Sequence, residues 1–385
     1  MKHLLLKEFQ KRFKREADYL FFCPGRVNLI GEHIDYNGGY VMPCAISLGT
    51  WLAVSKNTEK ILKFQSMDFP ETADLHLQDS YSKTGKEWYN YPLGVINELA
   101  ALGHYASGLD MLYAGNLPVS SGLSSSASIE VLTAFALTDM FGLDISKKDM
   151  ALLCKKAENE FIGVSCGIMD QFAVAMGKEN HAILLHCDTL TYEYLPLQPK
   201  DHVLVIINTN KPRKLVESKY NERFLECGKA LTALKKVVPV QNLCDLAPDT
   251  LLLHRQDIGD PVLEKRALHV VLENDRVKKA AEALRKEDMT AFGKLMYASH
   301  QSLQELYEVS GKELDTIVAF CQGYEGCIGA RMTGAGFGGC AIAFIERKCV
   351  DDFAEKMKTH YTDQVGYPPD VFATMIEDGV RKLEI

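Results

Sequence analysis

No uninterrupted apolar stretch of about 20 residues occurs in the chain, so no segment reads as a helix able to cross a bilayer. The opening residues, Met1-Lys2-His3-Leu4-Leu5-Leu6-Lys7-Glu8-Phe9, hold too short an apolar run for a signal peptide. Positive charge is not in excess either. A net charge of −8 argues against a nucleic-acid partner gripped by a basic face. It leaves room for a nucleotide enzyme, where only the local field at the phosphates matters. None of the eleven cysteines sits in a C-x-x-C pair, and their odd count, scatter and apolar neighbours suit reduced, buried thiols. A disulfide framework and a zinc site are therefore not expected. The chain reads as a cytoplasmic protein with neither membrane nor nucleic acid as a partner.

Repeats and low-complexity segments are also absent. At 385 residues the chain exceeds what one hydrophobic core usually serves, which predicts two domains. Apolar residues make up 47% and charged residues 24%, values of an ordinary globular protein. Helical spacing of Leu5, Phe9 and Phe13 predicts a helix over 4–16. Strands are predicted at 19–23, 40–55, 60–66 and 110–114, then a long helix from Ser125 to Phe141 stopped by Gly142, and another from Lys147 to Phe161. Further strands fall at 182–187 and 203–208, the second apolar throughout as in a fully buried strand. Beyond that, helices with charged faces are predicted at 218–236, 264–285 and 289–307, a strand at 340–345 and a helix at 350–360. A boundary near 200, after Pro196 and Pro199, divides the chain into 1–200 and 201–385.

Familiar phosphate signatures are missing. There is no G-x-x-x-x-G-K-[ST] loop, no Asp-Phe-Gly and no His-Arg-Asp. What stands between the 110–114 strand and the long helix is Leu117-Pro118-Val119-Ser120-Ser121-Gly122-Leu123-Ser124-Ser125-Ser126-Ala127-Ser128. Strand, glycine-containing loop and helix present unpaired N–H groups and a positive dipole end to an anion. A helix cap needs one serine, and this loop has more than capping requires. The later run Met332-Thr333-Gly334-Ala335-Gly336-Phe337-Gly338-Gly339-Cys340 contains a literal G-x-G-x-x-G, but it leads into a strand, so it is not a dinucleotide fingerprint.

Two other segments concentrate polar groups. Residues 24 to 39, Pro24-Gly25-Arg26-Val27-Asn28-Leu29-Ile30-Gly31-Glu32-His33-Ile34-Asp35-Tyr36-Asn37-Gly38-Gly39, set an Arg, a Glu, a His and an Asp among small and apolar residues. Glu32, His33 and Asp35 are acceptor-rich groups suited to sugar hydroxyls, and His33 lacks the second His of a metal pair. Cys166-Gly167-Ile168-Met169-Asp170-Gln171-Phe172 places one carboxylate in apolar surroundings, where it needs a partner. Asp170 is the candidate proton acceptor, with Arg26 as its natural partner.

The first segment resembles, almost letter for letter, the signature of the galactokinases. The serine loop resembles the second motif, P-x-x-x-G-L-[GS]-S-S-A, of their wider GHMP small-molecule kinase superfamily. The glycine run at 332–340 resembles the third motif, and Gly167-Ile168-Met169-Asp170-Gln171-Phe172 the galactokinase acceptor segment. Ser218-Lys219-Tyr220-Asn221-Glu222-Arg223 is similar to the family's S-x-Y-N-x-R. One departure is visible, since galactokinases commonly carry glycine or alanine where this chain has Ser120 and Ser121.

The resemblance implies a two-domain α+β fold, with mixed sheets, helices packed on them and an active site in the interdomain cleft. It implies ATP-dependent phosphorylation of α-D-galactose at the C1 hydroxyl, the first step of galactose breakdown by the Leloir pathway. ATP and Mg²⁺ are implied with it. So are sugar contacts from Glu32, His33, Ile34, Asp35, Gly167, Asp170 and Tyr220, and nucleotide contacts from Ser120, Ser121, Gly122, Leu123, Ser124, Ser125 and Ser126, with Ser66 nearby. Mg²⁺ is expected on Ser126 and Glu158. Spacing alone reads Glu158 as a solvated helix residue, and Glu160 is the competing choice. A kinase for N-acetylgalactosamine or arabinose is the first alternative. A silent galactose- and ATP-binding regulator is the second, and the intact loop with Asp170 and Arg26 argues against it. A monomer or weak homo-oligomer is expected.

Overall fold

The computed structural model describes residues 1–118, 121–164, 166–211 and 216–385. Helix α1 (Lys2–Phe13) lays Leu5 and Phe9 against a small core with Leu20, Ala53 and Leu112. Strand β1 (Tyr19–Asn28) outruns the expected 19–23, because a bulge between Pro24 and Arg26 lets pairing continue past the proline. The run at 40–55 divides into β2 (Tyr40–Val41) and β3 (Pro43–Lys56), which belong to different sheets. Next come β4 (Ile61–Ser66), β5 (Ala73–His76), α2 (Asn90–Ala101) and β6 (Leu109–Gly115).

Helix α3 spans Ser125–Phe141 and ends where the sequence predicts, with Gly142 at φ +63° closing it onto the Thr138 carbonyl. Helix α4 (Lys147–Lys156) passes directly into a π-helical turn, Ala157–Ile162, in place of the single helix expected to Phe161. Helix α5 (Met169–Met176), β7 (His181–His186), β8 (Tyr192–Pro196) and β9 (His202–Asn208), apolar from Val203 to Ile207, complete this half.

The rest is mostly helical: α6 (Val216–Leu234), α7 (Pro248–His254), α8 (Pro261–Arg285), α9 (Met289–Ser302) and α10 (Lys312–Gly323). Strands β10 (Cys327–Thr333) and β11 (Cys340–Glu346), helix α11 (Val350–Val365), β12 (Asp370–Thr374) and β13 (Arg381–Leu383) follow.

Three sheets organise these elements. The six-stranded sheet runs β13-β1-β3-β6-β4-β5 and is mixed, because β4 and β6 are parallel. A four-stranded antiparallel sheet, β10-β11-β9-β12, holds β9 in an interior position, as its apolar sequence requires. A small third sheet is β2-β7-β8. The final strand β13 returns to the first sheet beside β1, so the chain's end braces the half where it began.

Two close approaches place the site. A Cβ on Gly25 would lie 2.7 Å from the Leu123 carbonyl and 2.6 Å from Leu117, so only glycine lets β1 run against the serine loop. Across the halves, the Asn28 amide donates to Thr333 Oγ1 at 2.9 Å, and Arg331 donates to the Asn28 carbonyl at 2.8 Å.

Candidate active site

Arg26 leaves the β1 bulge buried and makes a forked contact with Asp170. Its Nε donates to Oδ1 at 2.9 Å and its Nη2 to Oδ2 at 2.7 Å, while Nη1 donates to the Gly122 carbonyl at 2.6 Å. Two parallel charge-assisted bonds fix the plane of the carboxylate. Asp170 stands in the first turn of α5, with about a third of its side chain exposed. One guanidinium therefore ties the acceptor to the serine loop.

That loop is built for something other than capping. Ser124 is the N-cap residue of α3, yet it adopts φ +64° and makes no side-chain bond to the helix. Its hydroxyl donates to Asp170 Oδ2 at 2.7 Å instead. The N–H groups of the first turn thus gain no cap from the residue positioned to supply one, and they face the cleft with Ser125 and Ser126. A negatively charged group is the natural complement.

The 28–37 segment is fastened to the second half. Glu32 Oε1 accepts from the Gly334 amide at 2.7 Å and lies 3.4 Å from Arg331 Nη1, and the Gly31 amide donates to Glu273 at 2.9 Å. Burial pushes the Glu32 carboxyl above its ordinary range, and Arg331 opposes that rise. His33 sits at φ +62°. Its Nε2 faces the Ala335 carbonyl at 3.2 Å, which can only accept, so Nε2 carries the proton and Nδ1 accepts from Tyr36 Oη at 2.9 Å. Burial holds the His33 ring down to about 3, so it is a neutral group near neutrality.

Asp35 faces the same space. Burial, then the charges of Asp170 and Glu32, push its carboxyl up to about 7. Opposite it, a Cβ on Gly167 would lie 1.9 Å from Asp35 Oδ2, so any side chain at 167 would expel that carboxylate. Tyr220, on α6, brings its ring to 5.5 Å from His33 and 5.4 Å from Tyr36.

Glu158 rides on the π-helical turn, whose Gly163 and Val164 amides both donate to its carbonyl at 3.0 Å. Its carboxyl is buried beside the cleft and receives a bond from Ser126. Burial raises it above the ordinary carboxylate range, Ser126 lowers it in part, and Asp170 adds to the rise. Glu160 has a side chain 66% exposed, lies 3.8 Å from Lys156 and stands outside the cleft.

These groups line one cleft of about 390 Å³. Arg26, Glu32, His33, Asp35, Gly167, Asp170, Tyr220, Ser121, Gly122, Ser124, Ser125, Ser126 and Glu158 all border it. Other expected residues do not. Ile34 is fully buried in the core, and Leu123 is buried beneath the loop, offering its carbonyl to the Arg26 amide at 3.2 Å. Ser66 ends β4 and uses its hydroxyl to accept from the Asp68 and Phe69 amides at 3.0 and 3.3 Å. Ser120 lies outside the described residues. Tyr91, Cys166 and Asn221 border the cleft without having been singled out. The last two adjoin motif residues, while Tyr91, on α2, carries no local signal.

Comparison with known proteins agrees with this arrangement. Family models match at residues 7–56 (galactokinase galactose-binding signature), 90–178 (GHMP kinases N terminal domain) and 280–363 (GHMP kinases C terminal). A galactokinase of Clostridium beijerinckii is 48% identical over 99% of both chains. One from Enterococcus faecalis is 46% identical over the full length of each. The chain belongs to the galactokinase family. A crystal structure of Lactococcus lactis galactokinase complexed with galactose superposes with a TM-score of 0.96 at 43% identity, covering 99% of this chain and 100% of that one. The two-domain α+β GHMP architecture follows. It extends to more distant folds such as a Methanococcus jannaschii mevalonate kinase (TM-score 0.68, 21% identity). Within this galactokinase-family cleft, residues from all three matched segments meet: Arg26 from the first, Asp170 from the second, Gly334 and Ala335 from the third.

Proposed function

We propose that the cleft transfers the γ-phosphoryl group of ATP to the C1 hydroxyl of α-D-galactose, giving galactose 1-phosphate. The observation that carries this reading is the Arg26–Asp170 fork. It holds a carboxylate between an uncapped helix N-terminus and a wall of sugar-type acceptors. Asp170 accepts or orients the C1 proton. Arg26 holds the Asp170 carboxylate in place and offsets charge on the moving phosphoryl group. The α3 N-terminus and the serine hydroxyls hold the phosphates. Asp35, His33, Glu32 and Tyr220 bind the sugar. Positioning, more than covalent chemistry, supplies the rate.

Mg²⁺ fits the residues present. Among the described residues no three His, Cys, Asp or Glu side chains converge as a cage, and Mg²⁺ usually takes one or two carboxylates plus substrate phosphates. Ser126 and Glu158 are a hard oxygen pair beside the phosphate end. Arg26 is the only Lys or Arg lining the cleft among the described residues, and it is already forked onto Asp170. When bound, the cation would draw charge from the phosphate oxygens. Ser126→Ala and Glu158→Ala are each expected to raise the Mg²⁺ requirement with sugar affinity nearly unchanged. Glu160→Ala is the control. A magnesium defect in Glu160→Ala and none in Glu158→Ala would reverse the assignment.

Asp35 predicts a pH effect. Its folded value of about 7 lies above the unfolded 3.8, so the native state binds the extra proton between them. The free protein should therefore lose stability from this group as pH rises from 4 to 7. Galactose hydroxyls donating to the ionised carboxylate would lower that value, so binding near pH 7 should release protons. Calorimetry in buffers of different ionisation enthalpy reads this directly, and a binding heat independent of buffer would count against it.

Gly167→Ala should raise the galactose KM by about 10-fold or more, because Asp35 must move. Steady-state kinetics at saturating ATP check this, and an unchanged KM would remove Asp35 from the sugar site. The scattered cysteines, with no C-x-x-C pair, suit a cytoplasmic setting, and a division near residue 200 is the working domain boundary. A monomer or weak homo-oligomer is the simplest assembly. Galactose- and Mg²⁺-dependent release of ADP tests the whole reading, and its absence in a folded protein would overturn it.

A further inference from the structure

Gln171 follows Asp170 directly and is fully buried. Its Nε2 donates to Glu158 Oε2 at 2.5 Å and lies 3.3 Å from Glu130 Oε2. One amide nitrogen thus bridges two carboxyl groups, while the amide oxygen, Oε1, has no hydrogen-bond partner among the described residues. Glu130 is fully buried too and sits on α3, one turn beyond Ser126. Its other oxygen, Oε1, has no hydrogen-bond partner. Burial, then the charge of Glu158, holds Glu130 well above the usual carboxylate range. A buried carboxyl so placed is costly, and no substrate-facing role accounts for it, because neither Glu130 nor Gln171 borders the cleft.

Three elements meet at this bridge. Glu130 comes from the helix whose N-terminus faces the phosphates, Glu158 from the π-helical turn, and Gln171 from the helix that presents Asp170. We propose that Glu130 and Gln171 are positioning residues. Gln171 fixes the rotamer of Glu158 for its cation, and Glu130 fixes Gln171. Because Gln171 is chained to Asp170, the same bridge sets the spacing between cation site and proton acceptor. Partners behind a metal ligand typically change affinity by about 10–100-fold when removed.

This inference rests on the cation reading proposed above, and its test separates the two. Mn²⁺ binding is measured by electron paramagnetic resonance in the presence of a non-hydrolysable ATP analogue, and galactose binding by calorimetry on the same proteins. Gln171→Met and Glu130→Leu are expected to weaken Mn²⁺ binding by about 10-fold or more, with galactose affinity little changed. Glu130→Gln should restore binding, since its amide oxygen can still accept from Gln171. Unchanged Mn²⁺ affinity in the variants, or equal losses of Mn²⁺ and galactose, would overturn the positioning role. A wild-type protein that binds no Mn²⁺ would overturn the cation reading and this inference together. Should Gln171→Met fail to fold, the contrast between Glu130→Gln and Glu130→Leu still decides.

Discussion

Asp170→Asn is expected to lower kcat by about 10²-fold or more while galactose still binds. The substitution keeps shape but replaces one accepting oxygen of the fork with a donor. Arg26 Nε and Nη2 each donate to Asp170, and Ser124 donates to the same carboxylate. An amide can satisfy only part of that set and cannot take the C1 proton. Stopped-flow or steady-state kinetics, paired with galactose calorimetry, check it. Near-wild-type turnover in a correctly folded variant would mean that Asp170 is not the acceptor.

Sugar discrimination carries the second large effect. Glucose differs from galactose in the direction of one hydroxyl at C4. The sugar wall consists of buried or half-buried groups already tied to fixed partners: Glu32 to Gly334 and Arg331, His33 to Ala335 and Tyr36. Such groups cannot swing to follow a misplaced hydroxyl, and a hydroxyl or an Asp35 oxygen left unpaired in the cleft costs about 1–3 kcal/mol. A preference for galactose over glucose of about 10²-fold or more in kcat/KM follows. Asp35→Ala should shrink it mainly by harming galactose. Equal efficiency with glucose or N-acetylgalactosamine would refute the substrate assignment and leave the kinase reading standing.

Much of this was legible before the structure, for local reasons. The α3 boundaries follow from a serine start and a Gly142 stop, and β9 declares its interior position by the unbroken apolar run Val203–Ile207. The failures have local reasons too. Residues 169–176 make an eight-residue segment, polar only at Asp170 and Gln171, that is too short for periodicity to assign, and it folds as α5. Spacing read Glu158 as solvated, whereas the π-helical turn brings its carboxyl to the cleft and leaves Glu160 in solvent. Ile34 and Leu123 lie inside specific motifs, but motif membership does not say which way a side chain points, and both point into the core. Gln171 was in plain view beside Asp170. Its role depends on Glu130, 41 residues away, a pairing no local pattern reveals.

The central claim is the position of phosphoryl transfer. ³¹P nuclear magnetic resonance of a mixture of the protein, ATP, Mg²⁺ and galactose reads it in one spectrum. The account predicts stoichiometric ADP and a single new phosphate ester on C1 of the α-anomer. An ester on any other carbon, or ATP consumption that does not require galactose, would contradict it.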